Sequence, residues 1–187
     1  YNSDLANTFG NLVNRTVAMA NKYFDGVISK PNSKEPLDEE LAKFAEDTVA
    51  KVEKCFVTYR VADALEAILN LAKRSNKYID ETTPWALAKD ENSKERLNAV
   101  LYNLLEAIRF IAVLLSPFMP TTAEKILEQI GTDVKDYDSI SSFGNLKDGN
   151  KVGTATPLFN RIDTQKMLEE IAAKQEAAAK AEAKAMP

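Results

Sequence analysis

Hydrophobic positions recur every three or four residues along most of this chain, which is the period of a helix with one buried face. Leu5, Phe9, Leu12, Val13, Thr16, Ala20 and Tyr23 mark one such stripe and predict a helix over 1–24. Asp25-Gly26 stops it, and residues 25–37, with Pro31 and Pro36, read as a loop. A second helix is expected from about Asp38, with Leu41, Phe44, Ala45, Thr48, Val52, Cys55 and Tyr59 on its inner face. A third carries Val61, Leu65, Ile68, Leu69, Ala72, Asn76 and Ile79; a break is expected near Thr58–Val61, although no Gly or Pro marks it. The fourth, from about Ser93 to Leu115, is apolar nearly all round in its second half, which places it at the centre of a bundle. Pro117 and Pro120 end it, and Thr121 or Thr122 opens a short fifth helix, 123–130, stopped by Gly131.

Residues 132–162 are loop-like, and 151–163 read as a strap pinned to the bundle by Leu158, Phe159 and Ile162. From Thr164 the composition shifts to Ala, Glu and Lys, a helix or linker beyond the domain. The expected fold is therefore all-α: an antiparallel bundle of about five helices over 1–163, with a C-terminal strap and a trailing helix or linker over 164–187. A chain that begins at Tyr1 with helical patterning almost at once reads as a piece of something longer.

Composition narrows the chemistry more than it suggests any. Of 187 residues 45% are apolar, enough for one sizeable core, and none is histidine. That removes histidine bases, histidine metal ligands and the Ser-His and Cys-His nucleophile arrangements. The single cysteine, Cys55, excludes an intrachain disulfide and a cysteine-based zinc site; it lies on the inner stripe of the second helix, as a small core residue would. The scattered glycines form no phosphate-binding loop. Carboxylates clustered at Asp38-Glu39-Glu40 and Asp90-Glu91 sit at helix starts, where the helix dipole explains them. No catalytic residue, metal site or cofactor is expected in this chain. The N-terminus lacks a signal-peptide pattern, and the most apolar run, 110–120, is too short to span a bilayer, so the expected location is cytoplasmic and off the membrane. A net charge of −4 is not that of a domain that holds nucleic acid by bulk phosphate neutralisation, which is normally basic; binding here would need a few specific contacts or help from elsewhere.

Two stretches offer such contacts. In NKYIDETTPWALAK, 76–89, Thr83 can cap a helix, Pro84 fits its first position, and the only tryptophan, Trp85, follows an acidic turn containing Asp80 and Glu81. Trp85 is either a corner residue pinning two helices or a flat face offered to something flat. On the first helix Asn11 and Arg15 are four residues apart and share a face, with Asn7 and Asn14 beside them. This stripe is either solvated or a recognition face, since Asn offers an amide donor and acceptor and Arg a planar fork. Lys73, Arg74 and Lys77 form a basic cluster that either complements the end of the third helix or meets a phosphate backbone.

The sequence resembles the anticodon-binding domain of bacterial methionyl-tRNA synthetases. DLANTFGNLVNRTVAMANKYFDG (4–26) is similar to that family's first bundle helix, NKYIDETTPWALAK to its YID…PW segment, and LYNLLEAIRFIAVLLSPFMPTTAEKILEQIG (101–131) to its last bundle helices. LFNRID (158–163) is similar to the family's strap, with Asn160 where a proline is usual. The resemblance implies a helical bundle that reads the CAU anticodon of methionine tRNAs. It matches Asn11 and Arg15 to base-contacting residues, Trp85 to the surface on which the first anticodon base stacks, Pro84 to the residue fixing its turn, and Asp80 to an acidic neighbour; Asn14 stands close by. It also implies a partner catalytic domain, holding ATP, methionine and in some members zinc, whose HIGH and KMSKS signatures are absent here. A further tRNA-binding module could follow the Ala/Glu/Lys segment. The competing expectation is a helical protein–protein interaction module with no RNA role, which requires Trp85 to be buried and Asn11 and Arg15 to be idle or bonded to other helices.

Overall fold

A computed structural model describes residues 2–185, and side chains as far as 175. Tyr1 and residues 186–187, which the readings above assigned to the first helix and the tail, lie outside the described residues. The elements are α1 (Asn11–Phe24), β1 (Val27–Ile28), α2 (Pro36–Val57), α3 (Val61–Thr82), α4 (Pro84–Leu87), α5 (Lys94–Leu115), α6 (Pro120–Ile130), β2 (Asn150–Lys151) and α7 (Thr164–Ala185). Before α1, Asn2–Gly10 winds as a π-helix rather than as the first turns of one α-helix. Single-turn 3₁₀ segments lie at Glu91–Ser93 and Tyr137–Ile140.

The architecture is the expected helical bundle, with α5 as its axis. Every residue from 99 to 115 is buried, and α1, α2, α3, α4 and α6 all pack on this helix. Among the described residues, Glu91–Leu115 is the one helical stretch long and apolar enough to cross a bilayer, and it lies inside the bundle. Cys55 is buried in the core as its stripe implied.

Several boundaries move for local reasons. α2 begins at Pro36 rather than Asp38, because Asp38 is the third residue of the helix and accepts the Glu35 N–H at 2.9 Å. Tyr59, read as an inner-face residue, is 92% exposed: it takes the left-handed conformation that breaks α2 from α3 without a glycine. Phe44, also read as inner, lies at the exposed edge of that stripe. Pro120 is the first residue of α6 rather than a terminator of the helix before it. Gly131 ends α6 as expected, with φ +69°, its own N–H on Glu128 O and the Thr132 N–H on Leu127 O.

The 132–162 segment holds a small antiparallel ribbon that the hydrophobic pattern missed, with Val27 opposite Lys151 and Ile28 opposite Asn150. Two residues per strand are too few for an alternating signal. The loop before it is anchored by charges inside α5. Glu106 and Arg109 are both fully buried and paired at 2.7 Å. Glu106 also accepts the backbone N–H groups of Gly144, Asn145 and Leu146 at 2.8–3.1 Å, while Arg109 donates to Ser139 O, Ser139 Oγ and Val134 O. The strap that follows is held as expected, with Phe159 against Phe9, ring centres 6.1 Å apart, and Leu158 and Ile162 half-buried. Beyond it α7 starts on Asp163, whose carboxylate accepts the N–H groups of Gln165 and Lys166, and its described side chains are exposed.

Candidate nucleic-acid interface

The π-helical turn and α1 run alongside α3 in the same direction. Asp4 lies 4.0 Å from Lys73, and one turn on the Asn76 amide donates to Thr8 O at 2.9 Å. Seven residues beyond Thr8 is Arg15, and seven beyond Asn76 is Thr83, a climb of about 10 Å on each helix. The first helix and α3 are thus in register at Thr8 and Asn76, with Asn11 and Arg15 further along the former and Trp85 beyond the end of the latter.

That turn is built around two constrained residues. Thr83 has φ +43°, a left-handed conformation costly for a β-branched side chain. It does not cap α4 through its hydroxyl, contrary to expectation; its backbone carbonyl receives the Ala86 and Leu87 N–H groups instead, and its left-handed backbone is not the extended geometry that a side-chain cap uses. Pro84 is the first residue of α4, as expected, and is buried. Trp85 follows at 43% exposure, so the burial demanded by a corner-pinning role, or by an interaction module without an RNA role, is not met. Asp80 is exposed on the last turns of α3. Asn11 is exposed and Asn14 and Arg15 half-exposed, and none of the three makes a side-chain hydrogen bond or ion pair among the described residues.

The end of α3 is clamped from below. Asp38, at the start of α2, accepts the Tyr78 hydroxyl at 2.5 Å and both ends of the Arg96 guanidinium at 2.6 and 2.9 Å. Burial alone would raise the Asp38 carboxyl, but Arg96, the Glu35 N–H and Tyr78 outweigh it and hold its pKa below the usual value. Burial, and then the carboxylate, push the Tyr78 hydroxyl far above its ordinary range. Nothing in the linear sequence marked this cluster, although an acidic residue three positions into a helix was a partial signal.

The basic cluster read at 73–77 is not free for phosphate. Arg74 is buried and pairs with Glu40 and Glu81, each at 3.1 Å, and Lys77 reaches Glu81 at 3.4 Å. These residues also stand short of the last turn of α3, which runs on to Thr82. A position that the sequence did not single out is Arg161. It lies with Asn7, Asn11, Asn14 and Phe159 along a groove of about 450 Å³ between the first helix and the strap.

Comparison with known proteins adds the family. Residues 29–180 match the anticodon binding domain of methionyl tRNA ligase. Methionine–tRNA ligase of Clostridium tetani is 52% identical over 170 residues, covering 91% of this chain and 26% of that protein. That of Clostridium acetobutylicum is 48% identical over 186 residues, covering 100% of this chain, the Asn11–Arg15 segment included, and 29% of the relative. The free-state crystal structure of Mycobacterium tuberculosis methionyl-tRNA synthetase superposes with a TM-score of 0.80 at 31% identity, over 87% of this chain and 33% of that one. The chain thus spans between a quarter and a third of the length of these relatives. It belongs to the family of methionyl-tRNA ligase anticodon-binding domains.

Proposed function

We propose that this chain reads the CAU anticodon of methionine tRNAs, with the first anticodon base stacked on Trp85 and its edge met by Asn11 and Arg15. The observation that carries this is the half-exposed Trp85, following the buried Pro84, together with an Arg15 that has no partner among the described residues. Sequence-specific RNA readers take bases from single-stranded loops, stack them on aromatic faces and hydrogen-bond their edges. A stacked base is worth roughly 1–3 kcal/mol. A site built around specific hydrogen bonds rejects the wrong base steeply, because its own polar groups are then left unpaired. Asp80 and Asn14 stand at the margins of this site. The net charge of −4 suits a domain that identifies the loop through few phosphate contacts while the rest of the tRNA is gripped elsewhere.

The chemistry belongs outside this chain. In the whole polypeptide a catalytic domain holding ATP and methionine, with zinc in some members, would join methionine to the tRNA whose anticodon this domain has checked, in the cytoplasm. The domain proper would be 1–163, with 164–187 leading to a further tRNA-binding module.

The test uses Trp85 as its own reporter. Its fluorescence is followed while an anticodon stem-loop bearing CAU is added, in parallel with a loop changed at the first anticodon base. Saturable quenching by CAU and much weaker quenching by the variant is the expected result. Equal responses to the two loops would refute base reading at Trp85.

A further inference from the structure

Trp85 sits on a segment suspended between two helices. Residues 83–93 run from the end of α3 to the start of α5, through α4 and a 3₁₀ turn. Their hydrogen bonds are local. The Thr83 N–H donates to Ile79 O, Thr83 O accepts the Ala86 and Leu87 N–H groups, and the Asp90 carboxylate accepts the Asn92 N–H and the Ser93 hydroxyl. Pro84 is buried and Leu87 packs on the core, and the two helix ends carry the rest of the segment.

One carboxylate grips both of those ends. Asp38, in the first turn of α2, accepts the hydroxyl of Tyr78 from α3 at 2.5 Å and two guanidinium nitrogens of Arg96 from α5 at 2.6 and 2.9 Å. Tyr78 stands one turn before the end of α3, and its carbonyl accepts the Thr82 hydroxyl at 2.7 Å. Arg96 lies in the first turn of α5, and its Nε meets Glu35 at 3.1 Å. Tyr78 is fully buried and also accepts the Asn103 amide at 3.3 Å. Apolar side chains of the same volume often hold helices together as firmly as a buried ion pair does. What the bidentate pair adds is a fixed distance and orientation.

We propose that Tyr78 and Arg96 are positioning residues for base recognition: acting through Asp38, they fix the separation of the two helix ends and so the angle at which Trp85 meets its base. The inference rests on the reading of Trp85 as an anticodon-stacking residue and gives a role in that reading to three residues that do not themselves touch the base. A binding constellation works only when its members are held to within about 0.5 Å by the shell behind them. Release of either end therefore costs more affinity for the matched base than for a mismatched one.

The test compares Arg96→Met and Tyr78→Phe, each releasing one end, with Gly131→Ala, which loosens the fold at the end of α6. Each variant is checked for a folded bundle by far-UV circular dichroism, then titrated with the CAU stem-loop and with the loop changed at the first base. Arg96→Met and Tyr78→Phe are each expected to weaken CAU binding about five-fold, the lower end of the roughly 5–150-fold that a stacked base is worth, and to shrink the preference for CAU by the same factor. The anisotropy of Trp85 emission in the free protein should fall with them. Arg96→Lys should recover part of the preference. Arg96→Met should leave the log–log salt slope unchanged, whereas loss of a direct phosphate contact would lower it by about 0.7. Gly131→Ala should match the parent in affinity, preference and anisotropy. If folded Arg96→Met and Tyr78→Phe bind both loops as the parent does while Trp85→Ala loses binding, the positioning role is refuted and the Trp85 reading stands. A lowered salt slope in Arg96→Met, or an equal loss in Gly131→Ala, refutes the positioning role as well. If the parent itself does not distinguish the two loops, both fall. Should Arg96→Met fail to fold, Tyr78→Phe, which deletes a single hydroxyl, decides.

Discussion

Replacing Asp38 by asparagine tests how the Trp85 turn is held. The carboxylate is 2% exposed and accepts four hydrogen bonds, two from Arg96, one from the Tyr78 hydroxyl and one from the Glu35 N–H. An asparagine side chain would keep the shape but set an NH2 group against donors, leaving Arg96 under-neutralised and Tyr78 short of its acceptor. Breaking a buried ion pair from one side typically costs about 3–5 kcal/mol. Arg96 is still 18% exposed and keeps Glu35 at 3.1 Å, so water and that second carboxylate offset part of the loss. The expected cost is therefore about 3 kcal/mol, a large share of the roughly 5–15 kcal/mol that holds a domain together. The assay is urea unfolding, read by far-UV circular dichroism for the bundle and by Trp85 fluorescence for the turn. The sign with pH follows from the depressed carboxyl. Its contribution is fully present above the unfolded-state value of about 3.9 and is lost as pH falls through the lower folded value. The gap between parent and Asp38→Asn should therefore be widest near neutrality and close in acid below about pH 4. A cost under about 1 kcal/mol at neutral pH, or a gap that persists in acid, would show that Asp38 does not work as a charged clamp.

Other substitutions probe the remaining parts. Trp85→Ala should weaken CAU stem-loop binding by about 1–3 kcal/mol and Trp85→Phe by less, because Phe keeps an aromatic face; equal losses in a binding titration would argue against stacking. Glu106→Gln, in a pair with no exposure on either side, should cost about 3–5 kcal/mol in urea unfolding and speed amide exchange at 144–146; protected amides in the variant would contradict the anchoring role. Gly131→Ala would place a Cβ 1.8 Å from Lys151 O at φ +69°, so the ribbon must open, with a loss above about 1 kcal/mol and faster exchange at the Val152 N–H; a melt matching the parent would refute the close approach.

The helices and the axial place of α5 were legible because one-sided burial writes a periodic pattern that survives without knowledge of the partner. The ribbon and the π-helical start left no such trace, since the first is two residues per strand and the second keeps the same apolar residues while changing only the winding. Trp85 could be singled out as the sole tryptophan at a proline-started turn, but its exposure depends on Thr83 reversing the chain in a conformation that threonine does not advertise.

Charge was the least legible property, and the reason bears on the site. Arg74 and Arg15 look alike in sequence, each on a helix with polar neighbours. Only the fold brings Glu40 from α2 to Arg74, a separation of 34 residues, and leaves Arg15 with no such partner among the described residues. Arg161 looked like an ordinary strap residue until the strap lay down beside Asn7, 154 positions away. Neutralisation is thus a tertiary property that the linear sequence does not display. Both arginines that lack a carboxylate partner among the described residues border the helix that carries Asn11, and Arg161 shares a groove with it, which favours recognition at this surface more than residue type or spacing alone does.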